Sequence, residues 1–187
     1  LGYRVKLLGL ARMTEHGLEQ RVHPCMVPLE TPIADVEDVF NAVVAEGNFV
    51  GNSVYEGRGA GAGPTASAVV ADLIDLARNR RSPTFGVPVD FLAKPPVSPM
   101  ERRVGAYYIR LMVVDRPGVI ADITAVLRDE SVSLEAMLQR GRSPNETVPV
   151  VLTTHDTNEA AMNRALATIQ ALSHVSEPPR AIRIEAL

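Results

Sequence analysis

Apolar and polar positions alternate with the period of a strand through much of the N-terminal part of the chain. From Arg4 to Val22 the alternation predicts two short strands around the polar turn Thr14-Glu-His-Gly17. From Val39 to Tyr55 it predicts two more around Glu46-Gly47-Asn48. Pro24, Pro28 and Pro32 stand between these hairpins and are expected to break the ladder, because proline offers no backbone donor and fixes its own φ. The period then lengthens. A helix is expected from about Pro64 to Ala77, with proline in its first turn and Val69, Leu73, Leu76 and Ala77 on one face. Ala62, Ala66, Ala68 and Ala71 keep its surface small enough for another backbone to approach closely.

The C-terminal part has a cleaner rhythm. Tyr107 to Val114 alternates as a strand, and Asp115-Arg-Pro-Gly-Val-Ile120 opens a helix with Val119, Ile120, Ile123, Val126 and Leu127 at helical spacing. Strands at Leu134 to Gln139 and Val148 to Thr153 enclose a loop at Gly141 to Glu146. Asp156 with Glu159 then reads as a capping box before a helix striped by Met162, Ala165, Leu166, Ile169 and Leu172. Ala181 to Ile184 closes the series. The order β-α-β-β-α-β is the ferredoxin-like unit, with both helices on one face of an antiparallel sheet. The face left uncovered is a natural surface for a second copy. The expected fold class is α+β: an antiparallel sheet with one helix, followed by a ferredoxin-like βαββαβ domain.

Between these parts the composition changes. Pro83, Pro88, Pro95, Pro96 and Pro99, with the basic pairs Arg80-Arg81 and Arg102-Arg103, predict a stiff, partly extended connector. The expected division is therefore residues 1–78, a linker at 79–105 and a second domain at 106–187. Length and a 46% hydrophobic content place the chain among globular proteins. A net charge of -3 without a basic stripe, and only four Phe and four Tyr, argue against nucleic acid as a partner. No apolar run approaches the roughly 20 residues of a membrane span, and the start lacks the zones of a signal peptide, so a soluble, cytoplasmic protein is expected. The chain opens without Met and enters β-prone residues almost at once, which reads as a piece of something longer.

Few side chains announce chemistry. Cys25 is the single cysteine, and His16, His23, His155 and His174 are scattered, so no metal-ligand spacing is present and no metal is expected. Cys25, beside Pro24 and before an apolar pair, reads as a buried inert thiol. His23 reads as structural for want of a nearby acid, and His155 as solvated or capping. The stretch with the most chemical content is Gly57-Arg-Gly-Ala-Gly-Ala-Gly63 running into the small-residue helix. Such a loop bares backbone N–H groups, and the helix start adds positive dipole character, which suits a phosphate or a cofactor. Its spacing is not G-x-G-x-x-G, and a flexible helix-capping turn explains the glycines equally well.

The phrases Val113-Val-Asp-Arg-Pro-Gly-Val-Ile-Ala-Asp-Ile123, Ser133-Leu-Glu-Ala-Met-Leu-Gln139 and Val151-Leu-Thr-Thr-His155 together resemble an ACT domain, a small regulatory module that binds amino acids between paired copies. The resemblance implies an effector site at Asp115, Arg116, Pro117, Gly118, Val119 and Ile120. There Asp115 either receives an α-ammonium group or merely caps the helix, and the helix start suits a carboxylate.

Upstream, Arg21-Val-His-Pro24, Phe40-Asn-Ala-Val-Val-Ala-Glu-Gly47, Gly57-Arg-Gly-Ala-Gly-Ala-Gly-Pro-Thr-Ala66 and Ala71-Asp-Leu73 resemble the C-terminal half of the homoserine dehydrogenase family. That resemblance implies NAD or NADP as cofactor, with Gly59, Ala60, Gly61 and Thr65 lining it, and a homo-oligomer formed through the N-terminal sheet and the ACT domain. It also implies an amino-acid effector, threonine being the first to test. An ACT unit serving only for assembly is the other reading. The family's Rossmann domain and catalytic lysine have no counterpart here. Lys6 and Lys94 are the only lysines, and no catalytic residue is assigned.

Overall fold

A computed structural model describes residues 1–80, 85–140 and 146–186. Arg81, Pro83, the loop at Gly141 to Asn145 and Leu187 lie outside the described residues. The chain divides into two compact units, Leu1–Pro28 with Pro96–Ala186, and Leu29–Pro95.

The first unit begins with a long hairpin, β1 (Tyr3–Thr14) and β2 (Gly17–Pro28), paired in unbroken register from Tyr3 opposite Pro28 to Thr14 opposite Gly17. The turn is tied by Thr14, whose hydroxyl donates to the Gly17 carbonyl at 2.8 Å. Contrary to expectation, Pro24 and Pro28 do not break the ladder. Pro24 sits opposite Leu7, one residue before the Cys25–Met26 stretch at which the next strand joins β2. A proline is tolerated at such an edge. Pro32 opens a short 3-10 turn, Pro32–Asp35.

After the chain re-enters this unit at Pro96, it forms β5 (Val104–Gly105), β6 (Tyr107–Val114), α2 (Val119–Asp129), β7 (Leu134–Gln139), β8 (Thr147–Thr154), β9 (Thr157–Asn158), α3 (Glu159–Gln170) and β10 (Arg180–Ile184). The sheet order is β1-β2-β10-β6-β8-β7. Its last four strands have the ferredoxin-like arrangement, as expected. The hairpin extends the same sheet, because β10 pairs antiparallel with β6 and parallel with β2. Residues 1–28 thus pack with residues 96–186, a grouping that alternation within the hairpin cannot announce.

Period-two patterning builds the core. Tyr107, Ile109, Leu111 and Val113 point one way from β6 and bury against Ile123 and Leu127 of α2 and Met162 and Ile169 of α3. Each such side chain contributes roughly 1.5–3 kcal/mol on full burial. The capping of α3 differs from the sequence reading. β9 pairs with β5 and keeps the chain extended past Asp156, so Asn158 becomes the cap and its Oδ1 accepts from the amides of Ala160 at 3.0 Å and Ala161 at 3.4 Å.

The second unit holds β3 (Phe40–Gly47) and β4 (Gly51–Arg58), paired antiparallel, and α1 (Ala62–Ala77). The apolar stripe predicted for α1 exists but is uncovered: Leu73 is 59% and Leu76 67% exposed. Val43 and Tyr55, opposite one another on the hairpin, are likewise exposed. Two 3-10 turns, Val89–Phe91 and Met100–Arg102, punctuate the described part of the proline-rich stretch.

Candidate functional site

In the second unit the glycine-rich segment is a strand-to-helix crossing. Gly59, Ala60 and Gly61 link the end of β4 to the start of α1 and are exposed. Gly61 is the N-cap with φ +126°, a conformation that favours glycine, and its carbonyl accepts from the Thr65 amide at 3.1 Å. Thr65 therefore lies in the first turn. At Gly59 the reason for glycine is contact, since a Cβ would fall 2.1 Å from Asn41 Nδ2. Asn41 itself donates to the Val39 carbonyl at 3.3 Å, which also accepts from the Gly59 amide. This backbone, bare at a helix N-terminus but for the Ala60 methyl, suits an anionic or planar group lying across it.

In the first unit the turn between β6 and α2 carries Asp115 to Ile120. The Asp115 amide donates to the Glu146 carbonyl at 2.8 Å, and its Oδ1 accepts from Gln139 Nε2 at 3.3 Å. Asp115 is not the helix cap: Gly118, at φ +94°, holds that position, and α2 starts at Val119. The Val119 side chain is buried in the core and Ile120 packs against it, so these residues offer a ligand their backbone rather than their side chains. Arg116, Pro117 and Gly118 are exposed. A Cβ at Gly118 would meet nothing within 4 Å, so only the backbone conformation demands glycine. Gly118→Ala is expected to cost about 1–3 kcal/mol, the penalty of a left-handed residue, with the unit still folded. Chemical denaturation checks it, and a loss above about 3 kcal/mol would contradict an open turn.

The densest polar chemistry lies elsewhere, and sequence reasoning missed it. Glu19, Arg21 and His23 alternate along β2 and so share a face. Arg21 Nη2 donates to both oxygens of Glu185, at 2.9 and 3.0 Å, while Arg21 Nη1 pairs with Glu19. Arg103 Nη2 reaches Glu185 Oε1 at 2.9 Å and the Ile184 carbonyl at 3.3 Å. His23 Nε2 stands 3.6 Å from the same oxygen. Arg103, assigned to the connector on sequence, is only 2% exposed. Its guanidinium lies 5.1 Å from the centroid of the Tyr107 ring, and Gly105 is small because a Cβ there would fall 2.6 Å from Arg103 Nη2. Arg103 Nη1 also stands 3.8 Å from Glu159 Oε2. Glu159 in turn accepts from the Tyr107 hydroxyl and from both Arg183 Nε, at 3.0 Å, and Arg183 Nη2.

These contacts set the protonation states. Burial raises the Glu185 pKa, but Arg103 and Arg21 outweigh it and hold the carboxyl below its usual range. Glu159 is likewise held low, since hydrogen bonds from Arg183 and Tyr107 overcome its burial. Burial, with Arg183 and Arg21 nearby, lowers His23. Burial and the bond to Glu159 push the Tyr107 hydroxyl up to about 12. Burial, with Glu185 nearby, raises the Cys25 thiol to about 11, consistent with an inert core thiol. All three lowered groups act in one direction. A depressed folded-state pKa contributes stability above the unfolded value, lost as pH falls through the folded one. The denaturant midpoint of the first unit should therefore fall as pH drops below about 6.5, the ordinary histidine value, and more steeply below about 4.3, that of glutamate. A midpoint that rises or stays level between neutral and acid pH would contradict this.

Comparison with known proteins places both regions. Residues 1–74 match the family model described as homoserine dehydrogenase, and residues 107–174 match the ACT domain. A homoserine dehydrogenase from Pseudomonas aeruginosa is 42% identical over the whole chain, which covers 45% of that protein. One from Helicobacter pylori is 39% identical, with 98% of the chain and 43% of that protein covered. The crystal structure of a homoserine dehydrogenase from Thiobacillus denitrificans superposes with a TM-score of 0.87 at 47% identity, over 99% of this chain and 43% of that one. The chain thus spans less than half the length of the relatives it matches. Residues 1–74 are thus a homoserine dehydrogenase domain fragment, and an ACT domain follows at residues 107–174.

Proposed function

We propose that these residues serve an NAD(P)-dependent dehydrogenase that interconverts aspartate semialdehyde and homoserine, and that the ACT domain regulates it by binding an amino acid. The observation that carries the reading is the sequence of parts: a Gly-Ala-Gly crossing from β4 into α1, then the ACT fold, superposing closely on a homoserine dehydrogenase. The bound dinucleotide supplies the hydride. Gly59, Ala60 and Gly61 line it with exposed backbone, and Thr65 lines it from the first turn of α1. The exposed apolar sides of α1 and of β3–β4 await cover from the remainder of the enzyme or from a second copy.

At the ACT turn, the α2 N-terminus and the amides around Gly118 suit a carboxylate, and the Asp115 carboxylate, steadied by Gln139, suits an ammonium group. An α-amino acid carries both. L-threonine is the first effector to test. Regulation is then a coupling free energy between this turn and the active site.

Calorimetry on the full-length enzyme with L-threonine, L-isoleucine, L-methionine and L-serine tests the effector site; no heat from any of them would remove it. Full-length Gly118→Ala should weaken effector inhibition while leaving the oligomer intact. A variant that loses the oligomer yet keeps inhibition would instead assign the ACT domain to assembly. The 187-residue chain alone should not oxidise homoserine with NADP, whereas the full-length enzyme should. Turnover by rigorously purified chain would overturn this division of labour.

A further inference from the structure

We infer that Glu185 is a latch: through it the ACT sheet holds the β1–β2 hairpin of the dehydrogenase segment, so that a shift of β10 is delivered to that hairpin. The backbone seam between β10 and the hairpin is thin. β10 pairs with β6 over four positions, Arg180 to Arg183, but with β2 at Arg183–Cys25 and Ile184–Met26 alone, supplemented by the Glu185 amide donating to the Met26 carbonyl at 2.9 Å. Side chains carry the rest of the joint. From the hairpin come Glu19, Arg21 and His23; from the ACT side come Glu185 and Arg103, and Arg21 and Glu185 are 164 positions apart.

The chemistry of the seam is not that of a plain clamp. Three arginines, Arg21, Arg103 and Arg183, are matched by Glu19, Glu159 and Glu185, and a seam held only for stability is made at lower cost from apolar residues. Its hydrogen bonding is also incomplete. Arg21 Nε, Arg103 Nε and Nη1, and His23 Nε2 are buried with no hydrogen-bond partner among the described residues. Arg103 is the shared element, bonded to Glu185 at 2.9 Å and standing 3.8 Å from Glu159 at the start of α3. A displacement of α3 or β10 changes how its guanidinium is divided between the two carboxylates, and hence how firmly Glu185 holds Arg21. The transmission half of the inference rests on the regulatory reading above; the latch itself does not.

Hydrogen–deuterium exchange of the full-length enzyme tests both halves. Glu185→Gln keeps the shape and removes the charge, and Arg21→Met opens the same pair from the hairpin side. Each should speed exchange in β1–β2 peptides at least tenfold while β6 and β8 peptides keep their wild-type rates. Hairpin exchange within twofold of wild type in both variants would overturn the latch, and so would equal acceleration in β6 and β8, the mark of a merely global loss. In the second arm an amino acid that binds by calorimetry should alter hairpin protection in the wild type. In Glu185→Gln it should bind with unchanged affinity and leave the hairpin unaltered. Binding without any hairpin response in the wild type would overturn transmission. If no amino acid binds, the regulatory reading and transmission fail together, and the first arm still decides the latch.

Discussion

Glu159→Ala is expected to lower the stability of the first unit by about 3–5 kcal/mol, the cost of leaving buried charges without their counter-ion. The carboxylate sits 6% exposed at the first residue of α3, with the Tyr107 hydroxyl, both donating nitrogens of Arg183 and the nearby Arg103 around it. Truncation leaves the Arg183 guanidinium and the buried Tyr107 phenol without their acceptor and removes one of the two carboxylates beside the buried Arg103, which keeps Glu185. Glu159→Gln retains an acceptor oxygen for Tyr107 and one arginine, so it should cost less, about 1–3 kcal/mol. Urea unfolding at neutral pH followed by circular dichroism gives both values. A loss below about 1 kcal/mol for the alanine variant would mean that the cluster relaxes into solvent, contrary to the burial described above.

Gly17→Ala is the second change with a large expected effect. Gly17 adopts φ +110°, and a Cβ there would fall 2.2 Å from the Pro96 carbonyl oxygen and 2.9 Å from its carbon. Those are backbone atoms, which cannot swing aside. They are moreover fixed by the Leu18 amide donating to the Pro96 carbonyl at 2.8 Å and the Ser98 amide donating to the Leu18 carbonyl at 2.9 Å. Roughly 1–3 kcal/mol for the left-handed backbone and a similar amount for overpacking give an expected loss of about 2–6 kcal/mol. Gly118→Ala is the internal control, because it shares the positive φ but has open space around it. Thermal unfolding of the two variants side by side should rank Gly17→Ala well below Gly118→Ala. Equal midpoints would show that the re-entering chain at Pro96 yields without cost.

What was legible in the sequence follows the range of the forces involved. The strand and helix periods of residues 107–184 are local signals, and β6, α2, β7, β8, α3 and β10 each formed close to its expected place. The cap of α3 moved from Asp156 to Asn158 because a two-residue pairing with β5, remote in sequence, kept the chain extended. Pro24 read as a ladder breaker because its tolerance depends on which neighbour lies beside β2, and β10 arrives only from the far end of the chain. Of the candidate site residues, Gly59, Ala60, Gly61 and Thr65 fall together at one strand-to-helix crossing, and Asp115 to Ile120 at one turn. Both are short contiguous stretches, and the family resemblances marked them. For Val119 the sequence marked a position on the apolar face of α2, and burial in the core made that face decide what its side chain does.

The ion cluster shows the limit of such reading. His23 has no acid near it in sequence, and Arg103 looks like half of a basic pair in a proline-rich connector. Only folding brings Glu185 within 3.6 Å of the one and 2.9 Å of the other. By itself the sequence determined the longer strands and helices, their βαββαβ order in the C-terminal part and the two glycine-marked turns, because hydrophobic periodicity and the φ freedom of glycine act within a few residues. The tertiary structure alone decided that the N-terminal hairpin joins the ACT sheet and that a cluster of three arginines and three glutamates seals the joint. Strand pairing and Coulomb interaction act across space, between residues whose separation along the chain carries no trace of their meeting.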